Sequence, residues 1–471
     1  MPDPASTPLF CLEIARLRHR FSVLWLQGHE AISQPFVFEL EVINEDADVD
    51  LASLMYKPVF LSFQGGVHGF HGQIHGAMRS HYRPGPACYR LKIGPRLACL
   101  GQRYNQRIFQ HMSAPQIIAR VLEEHGLRKG SYRFELKKTC REREYCAQYQ
   151  ESDLQLVQRL CAEEGIHYHF AHSRRRHEVV FGDSLRGFGC TPAAPWRQLS
   201  RESGVTRFAV SANGQDSPGS RSHQRAEGES SLPYVLSGHL LPLTGHPELE
   251  WNHMWLVTGV EHRCLESLPD DGPGERYSNR FNAVPWEVGF SAPEPQPGPK
   301  LPQLQRAWII GPPGQEVSRD SVGRLKVQFE WGLQGRGARY NDCWLPVMPG
   351  LELAFRGGME VLVSVFDDDM ERPVITACLY SRAREPFSSQ SAGLAQRGDV
   401  PADSVRAQLD WQMIMGDKRR LRLDNGPMVS FEEGSELSLS IGSSQVRLDA
   451  SGLTLTSPRI TFVSKMVEND Q

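Results

Sequence analysis

LRLDNGPMVSFEEGSELSLSIGSSQVRLDASGLTLTSPRITF, Leu421 to Phe462, is a run of short units, each holding two apolar residues two positions apart. The pairs are Leu421/Leu423, Val429/Phe431, Leu437/Leu439, Val446/Leu448, Leu453/Leu455 and Ile460/Phe462. Their first members step by 8, 8, 9, 7 and 7 residues, and glycines at 426, 434, 442 and 452 fall between them. Each unit reads as one short strand with two inward side chains, followed by a turn. Such a unit is too small to cover its own core, and two apolar side chains cannot offset the entropy of ordering eight residues. The spacing therefore predicts a tail that is stable only when other chains complete its core and its hydrogen bonds, as when three tails wind into one β-prism. The twelve apolar residues are its expected core.

Upstream, the composition changes three times. Ser381 to Ala407 is polar and rich in Ser, Arg, Gly and Ala. Ala307 to Tyr380 is strand-like throughout. From Arg324 to Trp331, Leu325, Val327, Phe329 and Trp331 alternate with polar residues, and Val361, Val363 and Val365 repeat the pattern ahead of a strand from Val374 to Tyr380. A small closed barrel is the economical way to hide the edges of so many short strands. Ahead of it, SAPEPQPGPKLP (Ser291 to Pro302) has prolines at 293, 295, 297, 299 and 302, which suit a stiff, extended connector.

The first block, Phe10 to about Gly289, mixes strands with two helices whose ends are written in the sequence. Ser113 and Gln116 form a capping box with Pro115 in the first turn, and Gly126 stops the helix. Ser152 and Gln155 repeat the box, Leu154, Val157, Leu160 and Cys161 supply the apolar stripe, and Gly165 ends it before a strand from Ile166 to His172. The fold class read from these blocks is mainly β with a few helices, the first block being α+β.

Composition agrees. The 42 glycines and 32 prolines exceed the usual share of turn formers. A formal charge of −3 excludes a chain built mainly to grip nucleic acid. No apolar run approaches the ~20 residues of a membrane span, and the N-terminus shows no secretory signal, so synthesis and folding in the cytoplasm are expected. The 10 cysteines include no C-x-x-C pair and read as buried thiols.

No G-x-S-x-G, P-loop, G-x-G-x-x-G or H-E-x-x-H motif is present. Three clusters of titratable residues are candidate sites. His68, His71 and His75 lie in HGFHGQIH, and His167 and His169 share a strand face. With His177 and Glu178 across a hairpin, these last could form a metal site and make the chain a metal-dependent enzyme. Asp367 to Asp369 could hold a cation, and Arg174 to Arg176 could bind phosphate. Strand residues between core aromatics, a solvated turn and a hairpin tip are the structural alternatives, and they are preferred. No catalytic, cofactor-binding or metal residue is assigned.

Three stretches carry a resemblance to a known family. These are YRLKIGPRLACLGQRYNQRIFQHMSAPQIIARVLEEHG (Tyr89 to Gly126), YCAQYQESDLQLVQRLCAEEGIHYHFAH (Tyr145 to His172), and YSNRFNAVPW with VGRLKVQFEW and RGGMEVLVSVFDDDMERPVITACLY (Tyr277 to Tyr380). The sequence resembles VgrG, the trimeric spike of the bacterial type VI secretion system, itself similar to the hub and spike of contractile phage tails. The resemblance implies a tail-hub-like domain with two subdomains and hub barrels (1–290), a Pro-rich connector (291–303), an OB-type barrel (304–382), a polar linker (383–410) and a triple-stranded β-helix (411–471). It implies a homotrimer seated on a ring of tail-tube protein. Ile460, Phe462 and Val463 would meet a PAAR-type tip protein or an effector, with transient contact to a target membrane, no nucleic acid and no cofactor. No effector domain follows Phe462, so a non-enzymatic puncturing spike and carrier is expected, made without a signal peptide and delivered by the machine into target cells. A phage tail or phage-derived bacteriocin spike is the alternative.

Overall fold

The computed structural model describes residues 10–17, 21–44, 49–63, 68–80, 87–198, 202–212, 224–265, 277–288, 290, 303–333, 342–351, 354–365, 372–380, 412–414, 420–422, 428–432, 436–441, 444–449 and 452–456. The chain forms two compact units, 1–144 with 148–299, and 145–147 with 300–471.

Unit 1 begins with a ring of strands, β1 (Phe10–Ile14), β2 (Phe21–Ala31), β3 (Val37–Asn44), β4 (Pro58–Phe63), β5 (His68–Ser80) and β6 (Ala87–Gly94). A short helix, α1 (Leu51–Leu54), is capped by Asp50, whose carboxylate accepts from the Ala52 and Ser53 N–H groups. The hydrogen-bonded order is β1-β4-β5-β6-β3-β2, and β1 also pairs with β2 (Leu12 opposite Phe21), so the ring closes and no edge remains. Alternation explains the strands. In β1, Phe10, Leu12 and Ile14 are buried while Cys11 and Glu13 are half-exposed.

An insert follows, with β7 (Tyr104–Phe109), β8 (Met112–Ser113), α2 (Ala114–Glu124), β9 (Tyr132–Glu135), β10 (Glu142–Arg143), β11 (Cys146–Ser152), α3 (Asp153–Glu164), β12 (His167–Ser173) and β13 (Arg176–Gly182). Both capping boxes form as the sequence predicts. The stripe of α3 differs by one residue. Leu156, Val157, Leu160 and Cys161 are buried and Leu154 only partly so, because the helix turns its Leu156 side inward. β12 pairs antiparallel with β13, which runs parallel to β9.

The chain then builds a second ring from β14 (Gly189–Cys190), β15 (Ala194–Pro195), β16 (Val205–Ala212), β17 (Gln224–Ser230), β18 (His239–Thr244), β19 (Met254–Leu265) and β20 (Tyr277–Pro285). The order β16-β17-β20-β19-β18-β15 is joined at its ends by one bridge, Trp196 to Val205. Trp255, fully buried, centres its core with Phe208, Phe281 and Leu241. Pairing of β2 with β19 fuses the two rings. Each ring lays an aromatic over a cross-strand glycine: Phe38 opposite Gly28 and Phe281 opposite Gly228, where a Cβ would stand 2.2 Å from the ring.

Unit 2 contains β21 (Leu304–Ile309), β22 (Leu325–Phe329), β23 (Asp342–Leu345), β24 (Glu360–Val365), β25 (Pro373–Tyr380) and β26 (Gln412–Ile414), ordered β23-β22-β21-β24-β25-β26. Met348 N–H donates to Ile375 O (2.8 Å) and Ile375 N–H to Pro346 O (2.9 Å), closing β21 to β25 into a five-stranded ring. The strand expected to reach Trp331 stops at Phe329. Trp331 lies in a 3-10 turn, where its indole N–H donates to Gln305 Oε1 (2.8 Å). Five further strands, β27 (Arg420–Arg422), β28 (Met428–Glu432), β29 (Glu436–Ile441), β30 (Ser444–Asp449) and β31 (Gly452–Thr456), form a sheet of their own. Residues 291–302 of the connector, Asp367 to Asp369, and the polar linker lie outside the described residues. Among the described residues, no helix is long and apolar enough to cross a membrane.

Candidate functional site

The repeat that decides the sequence reading folds as an antiparallel meander. β27 to β31 pair in chain order, and the register aligns the expected core residues with one another. One row runs Leu421, Val429, Leu439, Val446, Leu455, and a second runs Phe431, Leu437, Leu448, Leu453. The period of two within each strand and the antiparallel register of consecutive strands produce this coincidence. A β-helix would have left each strand to partners from other chains. Here consecutive strands satisfy one another within the chain. Leu423, Ile460, Phe462 and Val463 lie outside the described residues.

The insert is fastened by a buried carboxylate that sequence reasoning missed. Asp153, fully buried, opens α3 directly after its cap Ser152. Its Oδ1 accepts from Asn105 Nδ2 (2.8 Å), Gln148 Nε2 (2.8 Å) and Arg107 Nη2 (3.2 Å). Its Oδ2 accepts from Arg103 Nε (2.5 Å) and His125 Nε2 (2.7 Å). Burial pushes the carboxyl pKa up, but hydrogen bonds from His125, Gln148 and Asn105 and the charge of Arg107 outweigh it and hold the group well below the usual carboxylate range. The signal was present in the sequence: Arg103, in extended backbone just ahead of β7, and Asn105 and Arg107 on β7 alternate, so three donors share one face.

A second buried network crosses the rings. Glu30 Oε1 lies 3.3 Å from His262 Nε2 and accepts from the Ser237 N–H. His262 Nδ1 meets the Tyr277 hydroxyl (2.8 Å), and Asn279 links that hydroxyl to Ser230.

The histidines fall into two groups on opposite faces of the β12–β13 hairpin. His167 and His169 share one face, where Phe188 stacks on His167 with ring centroids 4.5 Å apart. His177 stands opposite His172 in the register, and its ring meets His71 on the other face, Nδ1 to Nδ1 3.1 Å. The set His167, His169 and His177 that a metal enzyme would need is therefore not brought together. Glu178 is tied to Arg133 instead. Burial lowers the pKa of His167 to about 4 and of His169 to about 3. His75 Nε2 lies 3.1 Å from the Pro95 carbonyl, and the side chain of His68 lies outside the described part of the structure. Among the described residues, no group of three or more His, Cys, Asp or Glu could hold a metal ion. Arg174 and Arg175 form the hairpin tip and Arg176 starts β13. Arg174 is paired with Glu13 (2.8 Å).

Comparison with known proteins follows the same lines. Residues 29–216 match the phage tail baseplate hub (GPD) family. A type VI secretion system spike protein of Pseudomonas aeruginosa, VgrG4b, is 38% identical over 81% of this chain and 57% of its own length. The chain thus spans less than three fifths of that relative. The solved E. coli c3393 protein, described as a type VI secretion component structurally similar to the T4 phage tail proteins gp27 and gp5, matches the fold with a TM-score of 0.65. It is 24% identical and covers 77% of this chain and 98% of that one. A chain from the Francisella PdpA–VgrG complex shares the fold at a TM-score of 0.54 and 8% identity, covering 95% and 87%. Residues 29–216 belong to the baseplate hub family, and the chain is a homologue of the VgrG spike proteins.

Proposed function

We propose that this chain is one protomer of a homotrimeric tip spike of a type VI secretion system, mechanical rather than catalytic. The fused rings would sit on the tail tube, and the C-terminal sheet would form the needle. The observation that carries this reading is the two apolar rows of β27–β31. A single sheet layer with an apolar face needs a second layer to bury it, and three such layers would enclose a shared core. Leu421, Leu423, Val429, Phe431, Leu437, Leu439, Val446, Leu448, Leu453, Leu455, Ile460 and Phe462 would line that core. Ile460, Phe462 and Val463, near the blunt end, would meet a PAAR-type tip protein or an effector. The relative solved as a PdpA–VgrG complex supports a carried partner. Delivery would follow synthesis in the cytoplasm and use the secretion machine.

Native mass measurement tests the reading. A mass three times the 53.1 kDa of one chain is expected, and Leu439→Asp with Leu448→Asp should reduce it to the monomer. A monomeric wild type with a protease-resistant tail refutes it. The hub-family match also favours a second reading, a phage tail or phage-derived bacteriocin spike, which neighbouring genes for sheath, tube and unfoldase would separate from the first.

A further inference from the structure

The hairpin β12–β13 meets β5 and the 3-10 turn Arg96–Gln102 through a directional chain of imidazoles. The Arg96 N–H donates to His177 Nε2 (3.2 Å), so the proton of a neutral His177 sits on Nδ1. That Nδ1–H points at His71 Nδ1, 3.1 Å away, which must accept. The His71 backbone N–H donates to His172 Nδ1 (3.2 Å), which leaves the His172 proton on Nε2, a buried atom without a partner among the described residues. Every accepting nitrogen in this chain is faced by an N–H. The rings pack among Phe36, Phe70 and Phe170, with centroids 5.1 to 6.4 Å apart.

We propose that His71, His172 and His177 form a proton-operated latch: uptake of a proton turns an accepting ring nitrogen into a donor, sets it against an N–H already in place, and frees the hairpin from β5. No bond is made or broken beyond the proton transfer from solvent. The groups facing the rings from the neighbouring elements are His75 on β5, Arg96 on the turn and His239 on β18, and each disfavours a further positive charge. Glu178, next to His177 in sequence, lies on the other face of the hairpin and is paired with Arg133. His262 reaches the cluster only through the ring of Phe70.

Burial agrees with the geometry. It lowers the pKa of His71 and His172, and it brings His177 from its ordinary 6.5 to about 3. A histidine whose closed-state pKa lies below its open-state value stabilises the closed form fully above the open-state value. The contribution is lost as pH falls below about 6.5. Between about pH 7.5 and pH 5, one such ring raises the open-to-closed ratio about 30-fold, and three rings acting together raise it by up to ~30,000-fold.

Amide hydrogen exchange on the intact protein, read by mass spectrometry and corrected for intrinsic rates, measures this ratio. Protection of His167–Gly182 should fall at least about 30-fold from about pH 7.5 to pH 5 relative to β3 and β6. In the double variant His172→Asn, His177→Gln, whose amide oxygens replace two of the accepting nitrogens, the fall should shrink several-fold, because only His71 is left to take up a proton. Wild-type protection that changes less than twofold overturns the proposal, as does a full response in the double variant. Exchange of the imidazole C2 hydrogens reads the wild type alone, should the variant not fold. A titration midpoint for His177 below about 5 supports the latch, and one at or above that value overturns it.

Discussion

Replacing Asp153 by Asn keeps the shape of the side chain and removes its charge. Five donors converge on the carboxylate, from Arg103, Asn105, Arg107, His125 and Gln148. An amide offers one accepting oxygen, so its NH2 group must face either Arg103 with His125 or Asn105 with Gln148. The Arg107 side chain, 8% exposed, loses its fully buried counter-charge. Removing one partner from a buried ion pair costs about 3–5 kcal/mol. For a domain of this size that lowers the melting temperature by roughly 10 °C. The partly exposed Glu124 serves as the control. It accepts from the same two arginines (2.5 and 2.6 Å), and Glu124→Gln should cost only about 1 kcal/mol, since its pairs are solvent-screened. Differential scanning fluorimetry on the intact protein reads both. Acid supplies a second check with a definite sign. Asp153 has a depressed folded-state pKa, so its contribution is complete above the ordinary 3.8 and is lost as pH falls below it. The gap between wild type and Asp153→Asn should thus be constant from neutrality to about pH 5 and narrow below about pH 4. An Asn variant within 2–3 °C of wild type, a small fraction of the roughly 10 °C expected, would refute the keystone assignment.

Three further substitutions probe how the rings and insert are built. Gly228→Ala puts a Cβ 2.2 Å from Phe281. It should cost about 1–3 kcal/mol by overpacking, seen as an earlier first transition in calorimetry. Trp255→Ala empties the centre of the second ring and should cost about 3–5 kcal/mol, with soluble yield falling accordingly. Ser152→Ala removes the oxygen that accepts from Gln155 N–H (3.2 Å). It should cost about 1 kcal/mol, and urea midpoints of paired variants would reveal any coupling to Asp153.

What was legible in the sequence was local. The two capping boxes formed because Ser and Gln three residues apart satisfy each other's backbone partners without tertiary help. The tail strands followed from a period of two. The α3 stripe was misread by one residue because helical spacing allows either Leu154 or Leu156 to join Val157 and Leu160, and only packing chooses. Trp331 leaves its strand at a point where its half-buried indole N–H finds Gln305 on the neighbouring strand β21, a partner that period two alone does not reveal. Ring closure was legible in unit 2 only as a need to hide edges. The bridges that close the rings, Trp196 to Val205 in unit 1 and Val347 to Ile375 in unit 2, join residues whose separation carries no periodic signal. His177 is a different case, since the rule that places it was available. Arg174 and Arg175 form a two-residue turn, so Ser173 pairs with Arg176 and His172 with His177. Parity then assigns His177 to the face of His172 and away from His167 and His169, which removes the metal cluster on geometry alone.

The tail joins the two kinds of information. Its spacing marks which residues recur, while the register within one chain decides what they meet. Because consecutive strands pair antiparallel, Val429 stands opposite both Leu421 and Leu439, and Leu448 opposite both Leu437 and Leu453. The backbone of β28, β29 and β30 is thus hydrogen-bonded on both sides before any second chain arrives. In the proposed trimer, partner chains would have to supply only cover for the apolar rows and the outer edges of β27 and β31, a smaller demand than the fully interchain winding inferred from spacing. Assembly should accordingly be driven by apolar burial more than by strand exchange. If so, its heat capacity change on dilution calorimetry should be strongly negative for association. A heat capacity change near zero in a protein that nevertheless trimerises would place the interface elsewhere than on these rows.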